Sequence, residues 1–130
     1  MISKHLRVLY AENDKDACYM MTAMLKFSDI EVTTAGTIAE ACQLGQNEHF
    51  DLYLLDSQFS DGSGLDLCRC LRKHAPQTPI FFYSGDAYDI DIQRGLAAGA
   101  DAYMVKPYFD DLTDKLLQLL EPRESLPLMA

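Results

Sequence analysis

Five short apolar runs recur along this chain, and each is followed by a longer segment with helical spacing. The runs are Arg7–Ala11, Ile30–Thr34, Leu52–Leu55, Pro79–Tyr83 and Ala102–Val105. Their length is that of strands rather than helices. Leu52–Leu55 and Ile80–Tyr83 are almost continuously hydrophobic, as strands covered on both faces must be. Strands joined through helices pair in parallel by right-handed crossovers. The alternation therefore predicts an α/β fold, a five-stranded parallel sheet with helices on both faces.

The intervening segments carry the helical signal. Ala17, Met20, Met21, Met24 and Leu25 fall at i, i+3, i+4, i+7 and i+8, and Leu112, Leu116, Leu119 and Leu120 trace a similar stripe. Less regular helices are expected over Thr37–Glu48 with Ile38, Ala41 and Cys42, over Leu65–His74 with Leu67 and Leu71, and over Ala87–Ala98 with Ile92 and Leu96. Asp14 and Thr37 can cap helix N-termini by accepting from free backbone N–H groups. Gly99 can end a helix in the left-handed conformation. Pro76 disfavours helical geometry at Ala75 and stops the third helix.

A chain of 130 residues, 48% hydrophobic and 24% charged, is large enough for one domain with a real core. From Glu121 onward, Pro122 and Pro127 and the lack of periodicity read as a C-terminal tail or the start of a linker over 121–130, leaving the domain within 1–120. The net charge of −9 opposes direct binding to nucleic acid or to an anionic membrane surface. No apolar stretch approaches the roughly 20 residues that cross a bilayer. Met1-Ile2-Ser3-Lys4-His5-Leu6 lacks the apolar centre of a signal peptide. The expectation is a cytoplasmic protein with its four cysteines reduced. Cys18 and Cys42 stand singly on helix faces, while Cys68 and Cys70, two apart on one helix, point in nearly opposite directions. No zinc-type cysteine spacing is present.

Polar residues at the strand ends carry the chemistry. Glu12-Asn13-Asp14 follows the first run, Asp56 the third, Ser84 the fourth and Lys106 the fifth. In open α/β sheets functional groups gather beyond the carboxyl ends of the strands. Taken singly, each has a plain structural role: Asp56 as a turn acid, Glu12-Asn13-Asp14 as a helix start, Ser84 before Gly85 as a cap, and Lys106-Pro107 as the opening of a loop. Taken together, they make a phosphoryl-transfer set. Glu12, Asp14 and Asp56, with the Gln58 backbone carbonyl, offer hard oxygen donors to Mg²⁺. Asp56 can attack phosphorus while Ser84 and Lys106 hold the transferred oxygens.

Those residues carry a family resemblance. From about Leu6 to Leu120 the chain resembles a receiver domain of two-component response regulators. Glu12, Asp56, Ser84 and Lys106-Pro107 match the family's acidic pair, phosphoacceptor Asp, Ser or Thr, and Lys-Pro; Gly95–Tyr103 is similar to the passage into its fifth strand. The resemblance implies a flavodoxin-like (βα)5 fold with strand order 2-1-3-4-5. It also implies that Asp56 takes a phosphoryl group from a histidine kinase or phosphotransfer protein, with Mg²⁺ required. Glu12, Asn13, Asp56 and Gln58 would be the metal residues. Ser84 and Lys106 would contact the phosphoryl group and Tyr103 would change orientation. The face of the fourth helix, fifth strand and fifth helix would then alter its affinity for a downstream output domain or protein, or for a second copy in a homodimer. Such a domain is a switch and not an enzyme. A cis Lys106–Pro107 bond is part of the same resemblance.

Three departures qualify it. Asn13 stands where the second acid of the family binds metal, so it offers a carbonyl oxygen without the charge and predicts weak Mg²⁺ binding. Ser60 replaces the usual Pro, which leaves the loop's φ less restricted, and Ser63 replaces the usual Asp. The competing function is a phosphorylation-independent interaction module whose metal site has degraded. A nucleotide- or flavin-binding enzyme fits less well, because the first strand runs into acids rather than a glycine-rich phosphate turn.

Overall fold

The computed structural model describes residues 5–107 and 112–120. Its main sheet has five parallel strands: β1 (Leu6–Ala11), β2 (Ile30–Ala35), β3 (Leu52–Leu55), β4 (Ile80–Ser84) and β5 (Ala102–Val105). Their spatial order is β2-β1-β3-β4-β5. The helices are α1 (Lys15–Lys26), α2 (Ile38–Asn47), α3 (Gly64–His74), α4 (Asp89–Ala97) and α5 (Leu112–Leu119). The expected tail at 121–130 lies outside the described residues.

Strand alternation divides the core in two. Val8, Tyr10, Leu52, Leu54, Phe81 and Met104 face one side, where Met21 and Leu25 of α1 and Leu112 and Leu116 of α5 cover them. Leu9, Ala11, Tyr53, Leu55, Ile80 and Phe82 face the other, against Ala41 of α2 and Leu67, Cys68 and Leu71 of α3. All four residues of β3 are buried, as expected of a central strand sheltered on both faces. Truncating one of its leucines to alanine removes about 2–5 kcal/mol.

The helix boundaries have the causes read from the sequence. Asp14 accepts from the Asp16 N–H and caps α1, and Thr37 accepts from the Glu40 N–H and caps α2. Helix α3 stops at His74, before Ala75-Pro76. Gly99, at φ +119°, turns the chain from α4 toward β5.

Three expectations need correction. Met20 and Met24 of α1 and Leu119 of α5 do not face the core, being 69%, 36% and 36% exposed. The inward stripe of α1 is instead Cys18, Met21 and Leu25. In α4, Leu96 is exposed and Gly95 is buried, because Phe82 and Tyr103 lie where a larger residue at 95 would have to sit.

The cysteines are the third correction. Cys18 and Cys68 stand apart as free thiols, but Cys42 and Cys70 bring their sulfurs together between two helices. Opposite directions within α3 do separate Cys68 from Cys70. The same geometry turns Cys70 toward the neighbouring helix α2, with Cα atoms of residues 42 and 70 only 6.4 Å apart. Among the described residues, no helix is long and apolar enough to cross a membrane.

Candidate phosphoryl-acceptor site

The sheet ladder continues one residue beyond three strands and pins the site backbone. Glu12 N–H donates to the Ala35 carbonyl at 2.8 Å, Asp56 N–H to Ala11 at 2.9 Å, and Lys106 N–H to Ser84 at 2.7 Å. Three charged side chains from distant parts of the chain thus leave the same sheet edge from fixed origins.

They meet as expected. Lys106 Nζ hydrogen-bonds Glu12 Oε1 and lies 3.8 Å from Asp56 Oδ2. Glu12 is only 4% exposed, and its other oxygen accepts from the Asp14 N–H at 3.1 Å. Asp56 is half-buried, with Oδ1 accepting from the Ser57 N–H at 2.8 Å. Burial pushes its carboxyl pKa up and the Glu12 charge adds to this, against the Ser57 N–H and Lys106, which pull it down. Burial opposes the Lys106 charge, but the Glu12 hydrogen bond and the Asp56 charge outweigh it and leave the ammonium above its ordinary value. Lysine and two carboxylates therefore share one partly dry spot.

The remaining residues frame it. Asn13 is exposed at the mouth, between Glu12 and the capping Asp14. Gln58 is exposed and lies in a short antiparallel hairpin of Gln58–Phe59 and Gly62–Ser63. Ser84 ends β4 and is 1% exposed. Tyr103 stacks on Phe82 at 5.4 Å, and its hydroxyl donates to the Asp86 carbonyl at 2.7 Å. The Lys106–Pro107 bond is cis.

The two serine departures resolve locally. Ser63 caps α3 by accepting from the Leu65 N–H. Proline is absent at 60, but the adjoining Asp61 fastens the hairpin to α2, accepting from the Ile38 and Ala39 N–H groups at 3.0 and 3.1 Å. These donors hold the Asp61 carboxyl below its ordinary pKa. Asp61 reads as one more turn acid in the sequence, since its partners lie more than 20 residues away.

One further residue, Asp86, is not marked as part of the site by the sequence motifs. The Asp86 carboxylate accepts from Ser57 Oγ at 2.6 Å and from Gln58 Nε2 at 3.0 Å. Those two hydrogen bonds keep Asp86 acidic. Only the Ser-Gly-Asp succession after β4 marks it beforehand.

A divalent cation can be tested against this donor set. Among the described residues, no three His, Cys, Asp or Glu side chains gather as a metal cluster. Glu12 and Asp56 nevertheless converge on Lys106, and the exposed Asn13 and Gln58 stand next to Glu12 and two residues after Asp56 in the chain, each with a neutral oxygen to offer. An oxygen-only set with two carboxylates fits Mg²⁺ retaining several waters. It is one charge poorer than a set with an acid at 13.

Comparison with known proteins agrees with this geometry. Residues 8–118 match the response regulator receiver domain family. The chain is 39% identical over 106 residues to the cell cycle response regulator CtrA of Brucella ovis, a match covering 82% of this chain and 46% of CtrA. It thus spans about half the length of the curated relatives it matches. A CheY-like response regulator receiver domain protein from Methanospirillum hungatei JF-1 superimposes with a TM-score of 0.87 at 30% identity, over 94% of this chain and 98% of that one. The non-phosphorylated HemR receiver domain from Leptospira biflexa gives 0.83 at 28% identity, over 90% and 95%. With its strand order, its strand-end acids, Ser84 and its cis Lys106–Pro107 in place, the chain belongs to the response regulator receiver domains.

Proposed function

We propose that Asp56 accepts a phosphoryl group from the phosphohistidine of a histidine kinase or phosphotransfer protein. The observation that carries this reading is the environment of Asp56: one oxygen held by the Ser57 N–H, the other 3.8 Å from Lys106, at the open edge of the sheet. An Asp56 oxygen attacks phosphorus. The P–O bond forms as the P–N bond breaks, and its electron pair leaves on the imidazole, whose other ring nitrogen carries the proton. Lys106 supplies positive charge to the phosphoryl oxygens, and Ser84 can donate its hydroxyl proton to one of them. Mg²⁺, held by Glu12, Asp56 and oxygens of Asn13 and Gln58, would supply further charge neutralisation when bound.

The chain is then a stoichiometric acceptor acting in the cytoplasm, not an enzyme. The response passes through Tyr103 to the α4, β5 and α5 face, which changes its affinity for a downstream output domain or protein. The net charge of −9 opposes direct binding of this domain itself to nucleic acid or to an anionic membrane.

Titration with Mg²⁺ and beryllofluoride, followed by NMR, tests this reading. The expected result is a complex that shifts resonances of Ser84 and Tyr103 and is absent from Asp56→Asn. Asn13→Asp restores a charged donor and should tighten Mg²⁺ about tenfold. A fluoride complex in neither the unmodified chain nor Asn13→Asp overturns the proposal and favours the phosphorylation-independent interaction module.

A further inference from the structure

The Ser84 hydroxyl, which the acceptor reading directs to a phosphoryl oxygen, is engaged elsewhere. Ser84 Oγ lies 2.6 Å from Ser57 Oγ, which lies 2.6 Å from Asp86 Oδ2. An ionised carboxylate only accepts, and each serine carries a single proton. The Ser57 proton therefore goes to Asp86, and the contact between the serines must use the Ser84 proton. The Ser84 oxygen in turn accepts from the Asp86 N–H at 3.0 Å. Ser84 has no second proton to offer Asp56.

The same residue connects onward. The Asp86 carbonyl accepts the Tyr103 hydroxyl, while Gln58 Nε2 adds a second donor to its carboxylate. One short polar chain, Ser84–Ser57–Asp86–Tyr103, thus joins the strand-end serine to the half-buried tyrosine. Three of its members, Ser57, Asp86 and Tyr103, line a cavity of about 290 Å³ together with Gln58, Phe82 and Arg94. Space beside the chain lets its members change partners without unpacking the core.

We propose that Ser57 and Asp86 form a latch, two positioning residues that hold the Ser84 proton away from Asp56 and tie its release to Tyr103. This rests on the acceptor reading of Asp56. When Ser84 turns to a phosphoryl oxygen it lets go of Ser57. Ser57 and Asp86 then lose the geometry that supports the Tyr103 hydroxyl bond. The latched fraction of molecules lowers the apparent affinity for any phosphoryl group or mimic.

Ser57→Ala removes the hydroxyl and keeps the backbone N–H on Asp56, while Ser57→Thr keeps both. Without ligand, NMR of tyrosine-labelled protein should show the Tyr103 ring resonances moved and broadened in Ser57→Ala and close to native in Ser57→Thr. With Mg²⁺ present, beryllofluoride should bind Ser57→Ala about three- to tenfold more tightly than the unmodified chain, the effect of one net hydrogen bond. Ser57→Thr should stay within about twofold of the unmodified chain, and matching melting temperatures check that the fold is retained. An unmoved Tyr103 in Ser57→Ala, or fluoride binding that is unchanged or weaker, overturns the latch. Failure of both the unmodified chain and Asn13→Asp to bind beryllofluoride overturns the acceptor reading instead, and the ligand-free arm still decides whether Ser57 couples Ser84 to Tyr103.

Discussion

Lys106→Met will lower the stability of the domain by about 2–3 kcal/mol, or roughly 10 °C in melting temperature. Methionine keeps most of the aliphatic stem, so the loss isolates the charge. The Glu12 side chain is 3% exposed and takes its hydrogen bond from Lys106 Nζ. Removing one member of such a pair leaves a carboxylate desolvated without its counter-ion, a penalty of about 3–5 kcal/mol when both groups are deeply buried. Lys106 is 26% exposed, so water softens the loss and the lower figure applies. The Asp14 N–H remains on Glu12 at 3.1 Å, but a single neutral donor does not replace an ammonium.

The pH dependence has a definite sign. Lys106 has a folded pKa above its ordinary value of 10.5. A raised lysine contributes its full stability below the unfolded value and loses it as pH rises through the folded value. The unmodified chain should therefore exceed Lys106→Met by a constant margin at neutral pH, and that margin should shrink only as pH rises beyond the ordinary lysine value of 10.5. Denaturant melts across that range measure it. Equal stability at pH 7 would mean that Glu12 does not depend on the lysine.

Gly64→Ala has the second large effect, about 3 kcal/mol of destabilisation. A Cβ at Gly64 would lie 2.3 Å from the Asp56 carbonyl oxygen, 2.9 Å from Ser57 Cα and 3.0 Å from Phe82 Cε1. Two of those neighbours are backbone and cannot swing aside as a long side chain would. The requirement is close approach rather than an unusual φ. Gly64 N–H also donates to the Ser57 carbonyl at 2.7 Å, so the start of α3 is clamped onto the segment that carries the acceptor. Relief of the clash must move either α3 or Asp56. Gly85→Ala is the control, since a Cβ there meets nothing within 4 Å and should change stability by less than about 0.5 kcal/mol. Thermal melts of the two variants side by side separate a steric demand from a general intolerance of the site loops.

The sequence reveals what depends on near neighbours and hides what depends on helix packing. The strand runs, the caps at Asp14 and Thr37 and the left-handed Gly99 are set within a few residues, so their causes are visible in order along the chain. The convergence of Glu12, Asp56 and Lys106 is legible because parallel strands must deliver their ends to one edge. Cys42 and Cys70 could not be paired on the same grounds: helical geometry gives the direction of each side chain within its helix and says nothing of which helix lies opposite. In α1, methionines occupy both flanks of the apolar stripe, and periodicity alone does not choose between a face led by Met20 and Met24 and one led by Cys18, Met21 and Leu25. Asp61 and Asp86 escaped because single turn acids are common and their partners come from other loops.

Phosphoryl acceptance by Asp56 is read most simply from intact mass after incubation with a small phosphodonor and Mg²⁺. With Asp56 as the acceptor, the unmodified chain takes one phosphoryl adduct and Asp56→Asn takes none. No adduct at any Mg²⁺ concentration, or an adduct that survives Asp56→Asn, would contradict that role.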